Sequence, residues 1–118
     1  MMIDVAQQFW PYPSGRVSDD GSYNGFRFRT EFLEPALKGA RESMTREKVV
    51  VNIDGVRSFG SSFLEEAFGG LVRSGSFTKR DLDQFLEVQV TKPHLFIFRD
   101  AIQKYIADAR ADTLATHN

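Results

Sequence analysis

A run of β-branched residues in the middle of the chain constrains the fold more than any other feature. Residues 49–53 read Val-Val-Val-Asn-Ile, which is typical of a buried strand, and their apolar character on both pleat faces predicts a central strand covered by helices. A short loop then leads into a helical pattern from about Ser62 to Arg73. Since strand and helix patterns alternate along the chain, we expect an α/β fold. It would be a small mixed or mostly parallel sheet with helices packed on one or both of its faces.

The first half of the chain carries two further patterns. Residues 2–9 have a weak strand pattern, and residues 10–24 are dense in Pro, Gly, Asp and Ser, which predicts a long ordered loop. A helix is expected from Asn24 or Gly25, because apolar residues recur there at helical spacing. Pro35 lies inside this pattern and predicts a kink or break near residues 32–34.

The second half continues the alternation of helix and strand. Two adjacent glycines, Gly69 and Gly70, interrupt the helix after the central strand, so we expect a neighbour to pack closely on its backbone there. Thr78 with Asp81 predicts a capping box that opens a short helix. A strand over residues 86–90 and a last helix from about Pro93 to residue 110 complete the pattern.

Length and composition exclude several classes of protein. The 118 residues predict one domain, residues 1–118, and a net charge of −1 with scattered Lys and Arg gives no footprint for nucleic acid. The chain has no cysteine and only two distant histidines, His94 and His117, so we expect neither a metal site nor a cofactor. No apolar run is long enough to cross a membrane and no signal-peptide pattern opens the chain, which predicts a cytoplasmic protein without a membrane partner.

Ser61 and Ser62 lie where the central strand hands over to its helix. The first turn of a helix has unpaired N–H groups and a partial positive charge, which suit a hydroxyl cap, an anion or a phosphorylated side chain. Ser62 and Glu65 have the spacing of a capping box, a purely structural use. A phosphate on Ser62 would instead gain from the helix dipole but be repelled by Glu65 and Glu66. Both uses stay open at this point.

Arg16 and Asp54 are the other candidate site residues. Arg16 follows a glycine in the early loop and could bind an anion or a partner carboxylate. It could instead be structural, bonding a carbonyl or pairing with Asp54 at the end of the central strand. Asp54-Gly55 is typical of a turn that ends a strand. Asp54 has no histidine or second acid at a telling spacing, which argues against a catalytic role.

The central part of the chain resembles the STAS domains of anti-sigma-factor antagonists. In those domains a strand ends in a loop, Asp-Ser-Ser-Gly-Leu, before a helix; here Gly60-Ser61-Ser62-Phe63-Leu64 occupies those positions. A closer resemblance is to the STAS-like domains of unknown function, and it covers nearly the whole chain. It rests on Gly15-Arg16, the helix pattern of residues 26–35, Asp54-Gly55-Val56 and residues 61–71.

The resemblance implies a non-enzymatic, regulatory protein-interaction module in a bacterial cytoplasm. Ser62, and Ser61 after it, would be the phosphorylated residue of a partner switch acting with a histidine-kinase-like ATPase or another regulator. The partner would be bound by residues of the serine loop and its surroundings: Arg16, Asp54, Gly60, Ser61, Ser62, Phe63, Glu65 and Glu66.

Two alternatives remain open. One is a small-molecule or nucleotide sensor that binds an anion at the same helix start, although the chain has no glycine-rich phosphate loop. The other is a small hydrolase that uses the serine loop, although the chain has no Gly-x-Ser-x-Gly elbow and no evident base.

Overall fold

Three parallel strands form the sheet of this protein, whose computed structural model describes residues 1–111. The strands are β1 (Met2–Asp4), β2 (Val49–Asn52) and β3 (Leu86–Gln89), with β2 in the centre. Ile3 is level with Val51 on one side, and Val88 is level with it on the other. The predicted α/β fold with a mostly parallel sheet and the predicted central strand are both confirmed.

Four helices connect or follow the strands. The helix α1 covers residues 25–42 and α2 covers residues 61–73; each has α-helical ends and a π-helical centre, Arg29–Leu33 in α1 and Glu65–Gly69 in α2. The helix α3 is Lys79–Phe85 and α4 is Phe96–Asp108, preceded by a 3₁₀ turn at Pro93–Leu95. The predicted capping box of α3 is confirmed: Thr78 Oγ1 accepts from Asp81 N–H at 3.0 Å, and the Asp81 carboxylate accepts from Thr78 N–H at 3.0 Å.

The strand predicted for residues 2–9 is wrong beyond Asp4. Val5–Phe9 forms a π-helical turn instead. The Asp4 carboxylate accepts a hydrogen bond from Gln7 N–H at 3.1 Å, and Trp10 N–H donates to the Val5 carbonyl at 2.8 Å. A capping side chain at the end of a short strand therefore turns the chain before the pairing with β2 can continue.

Pro35 does not break α1, in contrast to the stronger form of the prediction. The helical backbone runs through it, and Pro35 is the second residue of the segment Glu34–Glu42. The hydrogen bonding changes in the turn before it, where Glu34 N–H donates to the carbonyl of Arg29, five residues back. Pro35 lacks an N–H donor, but it follows a turn in which the backbone hydrogen bonds already span five residues instead of four. The missing donor therefore does not end the helix.

The helices pack on one face of the sheet only. Ile3, Val49, Val51 and Ile53 point into the core and are fully buried. The residues that alternate with them are exposed or half-buried: Met2, Asp4, Val50, Asn52, Glu87 and Gln89. Of the two predicted arrangements, helices on one face or on both faces of the sheet, the first is therefore the one observed in residues 1–111.

Candidate functional site

The start of α2 carries the two serines that the sequence singles out. Gly60 is the N-cap residue, and Ser61 and Ser62 are the first two residues of the helix. Ser61 is exposed and Ser62 is half-buried. In the described part of the chain, no side chain caps this helix start.

The predicted capping box between Ser62 and Glu65 is wrong. A capping box requires its serine at the N-cap, whereas the helix begins one residue before Ser62. Glu65 is directed elsewhere: its carboxylate accepts from the guanidinium groups of Arg16 and Arg73. Ser62 therefore does not cap α2, which was the structural alternative to phosphorylation at this residue.

Glu65 and Glu66 belong to a group of alternating charges that we call the arginine–glutamate cluster. It joins the early loop to α1 and α2, and its members are Arg16, Arg29, Glu34, Glu65, Glu66 and Arg73. Glu66 lies 3.1 Å from Arg29, 3.3 Å from Arg73 and 3.5 Å from Arg16. Arg29 also binds Glu34 at 2.7 Å. Glu65 and Glu66 therefore each have more than one cationic neighbour, whereas Glu34 pairs with Arg29.

Burial separates the three arginines of the cluster. The side chain of Arg29 is 10% exposed, whereas those of Arg73 and Arg16 are 38% and 44% exposed. Burial acts to raise the pKa of Glu65, but hydrogen bonds from Arg73 and Arg16 outweigh it and hold that pKa below its usual value. The hydrogen bond to Glu65 raises the pKa of Arg16. Glu65 is thus kept charged beside two guanidinium groups.

Glycines let this cluster and the two helices come close together. A Cβ atom at Gly70 would lie 2.7 Å from Arg29 Nε, and one at Gly69 would lie 2.7 Å from a Glu65 carboxylate oxygen. At the crossing of α1 and α2, a Cβ atom on Gly25 would lie 2.6 Å from the Phe63 carbonyl oxygen. The prediction that a neighbour packs on Gly69 and Gly70 is confirmed, and the neighbours are charged side chains.

The early loop lies between the starts of α1 and α2. On one side, the carbonyls of Gly15 and Arg16 accept from the N–H groups of Gly25 and Phe26, both at 2.9 Å. On the other, the carbonyls of Pro11 and Pro13 accept from Arg57 and Gly60 at 2.8 and 3.0 Å. Gly15 has a φ of +85°, which favours glycine, and it packs on Asp20. The backbone of one loop therefore links both helix starts.

The same loop carries two exposed aromatic side chains, and its backbone is bonded to the segment that leads into α2. Trp10 is 40% exposed and Tyr12 is 55% exposed. Trp10 stacks on Tyr23 with ring centroids 4.4 Å apart, which fixes its position. We call the surface formed by the two adjoining segments the serine face. It comprises the exposed residues Trp10, Tyr12, Ser14, Arg57, Ser58 and Ser61 and the half-buried Ser62.

Asp54 lies apart from the serines in its contacts, and the suggested pair with Arg16 is wrong. Its carboxylate accepts from the N–H and hydroxyl of Thr91 at 2.7 and 2.8 Å and from Lys92 N–H at 3.2 Å. The hydrogen bonds from Thr91, together with the contact to Lys92, lower the pKa of Asp54. The predicted turn at Asp54-Gly55 is confirmed, and Asp54 holds the segment after β3 to the end of β2.

Apart from Asp54, the predicted site residues fall into three groups. Arg16, Glu65 and Glu66 meet in the arginine–glutamate cluster, while Gly60, Ser61 and Ser62 form the adjoining helix start. Phe63 is fully buried, packed against Phe9, Phe28 and Phe59. Among the other phenylalanines of the helices, Phe68 is buried, and Phe96 and Phe98 are half-buried.

Sequence reasoning missed Arg29 and Arg73 as partners of the glutamates. Arg73 lies seven residues after Glu66 on the same helix, a spacing that offers a weak signal. Arg29 is 37 residues from Glu66, and only the crossing of α1 and α2 brings them together. The glycine pair was the available signal that something would occupy the space above α2.

Neither metal nor membrane features appear in the part of the chain that the structure describes. Residues 1–111 hold no group of three or more His, Cys, Asp or Glu side chains that could bind a metal ion. Within the same residues, no helix is both long enough and apolar enough to cross a membrane. His117 lies outside the described residues.

The fold and the site together define a class: a small α/β domain with a parallel sheet, in which a serine pair opens the helix after the central strand. A protein-family model described as a STAS-like domain of unknown function matches residues 24–93, more than half of the chain. The chain belongs to this STAS-like family, as its sequence predicts. No curated protein and no solved structure matches it.

Proposed function

We propose that this protein is a non-enzymatic regulatory module that binds another protein through the serine face. The observation that carries the proposal is an uncapped helix start next to a loop that carries exposed aromatic residues, the two segments being joined by two backbone hydrogen bonds. Rigid aromatic side chains bury a large area at little conformational cost, which suits them to protein interfaces. Trp10, fixed by its stacking on Tyr23, has that character.

We further propose that phosphorylation of Ser62 or Ser61 switches the partner. A histidine-kinase-like ATPase would transfer the γ-phosphoryl group of ATP to the serine hydroxyl and release ADP. The repulsion expected from Glu65 and Glu66 is reduced, because both carboxylates are already paired with arginines. The greater exposure of Ser61 favours access to it, while the family resemblance favours Ser62.

A hydrolase is less well supported by the geometry. A serine nucleophile needs a neighbouring base to take its proton. The carboxylates of Glu65 and Glu66, one helical turn beyond the serines, are already bound to arginines. We therefore propose that the start of α2, with Ser61 and Ser62, has a role in binding rather than in catalysis.

The switch can be tested by affinity purification from the native host. Wild type, Ser62→Asp and Ser61→Asp are compared, with quantification of the co-purified proteins and of phosphate on each serine by mass spectrometry. Ser43→Asp is the matched control, because Ser43 is half-buried, as Ser62 is, and lies at the far end of α1. We expect a kinase-like ATPase or other regulator to be captured by wild type and Ser43→Asp and lost from at least one serine-face variant. Equal capture by all four, with no phosphate found, would refute the switch.

The docking surface can be tested separately from the switch. Tyr12→Ala removes a 55% exposed ring from the serine face, and Met44→Ala removes a 99% exposed apolar side chain elsewhere. We expect Tyr12→Ala to reduce capture of the partner by tenfold or more, since aromatic anchors dominate interface energies at about 2 kcal/mol or above. Met44→Ala should leave capture unchanged, and the reverse result would move the interface to another surface.

A further inference from the structure

We propose that Arg16 is the residue that receives a phosphate on Ser61 or Ser62, leaving Glu65 and Glu66 to the other arginines. This inference rests on the proposed function, because it assumes that a serine of α2 becomes phosphorylated. It assigns to Arg16 a change of partner within the arginine–glutamate cluster. The early loop would thereby sense the state of the serines.

The first argument is the redundancy of the cluster. If Arg16 departs, Glu65 keeps its hydrogen bond from Arg73, and Glu66 keeps Arg29 at 3.1 Å and Arg73 at 3.3 Å. Neither of these half-buried carboxylates would be left without a cationic partner, which is the usual cost of breaking such a pair. Arg16 is thus the member of the cluster that can leave at the smallest cost.

The second argument is freedom of movement. The Arg16 side chain is 44% exposed, against 10% for Arg29, whose guanidinium lies on the backbone of Gly70. The backbone of Arg16 is nevertheless fixed, since its carbonyl accepts from Phe26 and its N–H donates to Asp20. A long side chain on a fixed backbone can change its partner without unfolding the loop.

The third argument is position. Glu65 N–H is bonded to the carbonyls of Ser61 and Ser62, so the serines lie one helical turn before the residue that Arg16 now binds. A Cβ atom on Gly60 would lie 3.0 Å from the Cβ of Ser14, which shows that the segment leading to Arg16 already touches the helix start. One turn of a helix is about 5.4 Å, a distance that an arginine side chain can cover.

The fourth argument is charge. A phosphoserine carries a charge of about −1.5 to −2 and three acceptor oxygens, against −1 for a glutamate. Guanidinium groups bind phosphate through two parallel hydrogen bonds, and these are among the stronger ones in proteins. The phosphate therefore outcompetes a glutamate that has a second arginine available.

The experiment uses the full chain with phosphoserine incorporated during synthesis at position 62 and, separately, at position 61. The second pKa of each phosphate is measured by phosphorus NMR as the pH is varied. An adjacent guanidinium stabilises the dianion, so Arg16→Gln is expected to raise this pKa by about 0.5 unit or more at one of the two positions at least. Arg57→Gln is the matched control, because Arg57 is an exposed arginine on the segment just before α2.

Several outcomes would overturn the proposal. Arg16→Gln could leave the phosphate pKa unchanged at both positions, or Arg57→Gln could shift it equally or more. Thermal melts check that each variant is folded, and Arg16→Lys, which keeps the charge, is expected to shift the pKa less than Arg16→Gln. Because phosphoserine is installed without a kinase, the result is independent of the host purification. The host purification can therefore refute the partner switch while the NMR titration supports the role of Arg16. Equally, the titration can refute the role of Arg16 while the purification supports the switch.

Discussion

The starts of α1 and α2 lie on either side of the same loop but are built in opposite ways. At α1, Asn24 is only 4% exposed and caps the helix through Arg27 N–H, while the carbonyls of Gly15 and Arg16 accept from the next two N–H groups. At α2, the N-cap is Gly60 and no side chain within the described residues closes the end. One helix start is closed by its own chain, and the other presents its serines to the surroundings.

The difference shows that the start of α1 contributes to stability, whereas the start of α2 leaves its N–H and hydroxyl groups available for binding. Helix ends are normally satisfied by caps, because unpaired N–H groups are costly once they are buried. An end that keeps only a glycine cap and exposes hydroxyl groups can remain so because water, or a partner, reaches it. Substitutions at the two starts should therefore have unequal effects, and the following predictions are ordered from the largest to the smallest.

The largest effect is expected at the crossing of the two helices. Gly25→Ala places a Cβ atom 2.6 Å from the Phe63 carbonyl and 2.8 Å from Glu66 Cβ, so one helix must shift. We expect a loss of about 2 kcal/mol or more in the free energy of unfolding, measured in urea. Gly39→Ala is the control in the same helix, because a Cβ atom there meets nothing within 4 Å. It should stabilise the protein by about 0.5–1 kcal/mol, and a loss of similar size at both glycines would contradict this account.

The second-largest loss of stability is expected at the capped start of α1. Asn24→Ala removes the bond accepted from Arg27 N–H at 2.9 Å and the bond donated to the Gly21 carbonyl at 2.8 Å. We expect the free energy of unfolding to fall by about 1–2 kcal/mol. Asn24→Asp keeps the cap and loses only the donated bond, so it should lose less. If Asn24→Ala unfolds in the same urea concentration as wild type, the start of α1 does not depend on its cap.

A smaller effect is expected at the open start. Ser62→Ala should change the free energy of unfolding by less than about 0.5 kcal/mol, because Ser62 is not the cap of α2. Thr78→Ala, which breaks the capping box of α3, should cost about 1 kcal/mol in the same assay. An equal loss of unfolding free energy for Ser62→Ala and Thr78→Ala would mean that Ser62 does cap the start of α2.

The smallest difference is expected in the dependence on pH. Asp20 accepts from the N–H groups of Arg16 and then Val17, and these hydrogen bonds hold its pKa below the usual value. Its contribution is therefore fully present above the unfolded pKa of about 3.9 and is lost as the pH falls through the lower folded pKa. The stability curves of wild type and Asp20→Asn should run parallel above about pH 5 and converge below about pH 4. Parallel curves throughout that range would show that Asp20 does not hold the loop.

Local patterns account for the elements that the sequence predicts well. The β-branched run of β2 and the Thr78–Asp81 cap depend on residues a few positions apart, and both have the predicted form. The glycine pair of α2 also predicts close packing, although not the identity of the neighbour. For Ser62, an offset of one residue in the helix start is enough to turn a predicted cap into a surface hydroxyl.

The arginine–glutamate cluster could not be predicted in the same way. Arg16 and Glu65 are 49 residues apart, and Arg29 and Glu66 are 37 apart. Their meeting depends on how closely α1 and α2 approach, which Gly25 and Gly70 allow. The prediction of a strand over residues 5–9 was wrong for a different reason. The β pattern there is weak, and the Asp4 side chain caps a helical turn that competes with it.

The uncovered face of the sheet also determines where a spectroscopic probe can be attached. The chain contains no cysteine, so a single introduced thiol would be unique in the protein. Glu87 is exposed on that face, in β3, and is level with Val50 of the central strand. A fluorophore on a Glu87→Cys variant would leave the serine face, the arginine–glutamate cluster and the buried core unaltered. Partner binding could then be followed by fluorescence anisotropy without a label at the interface itself.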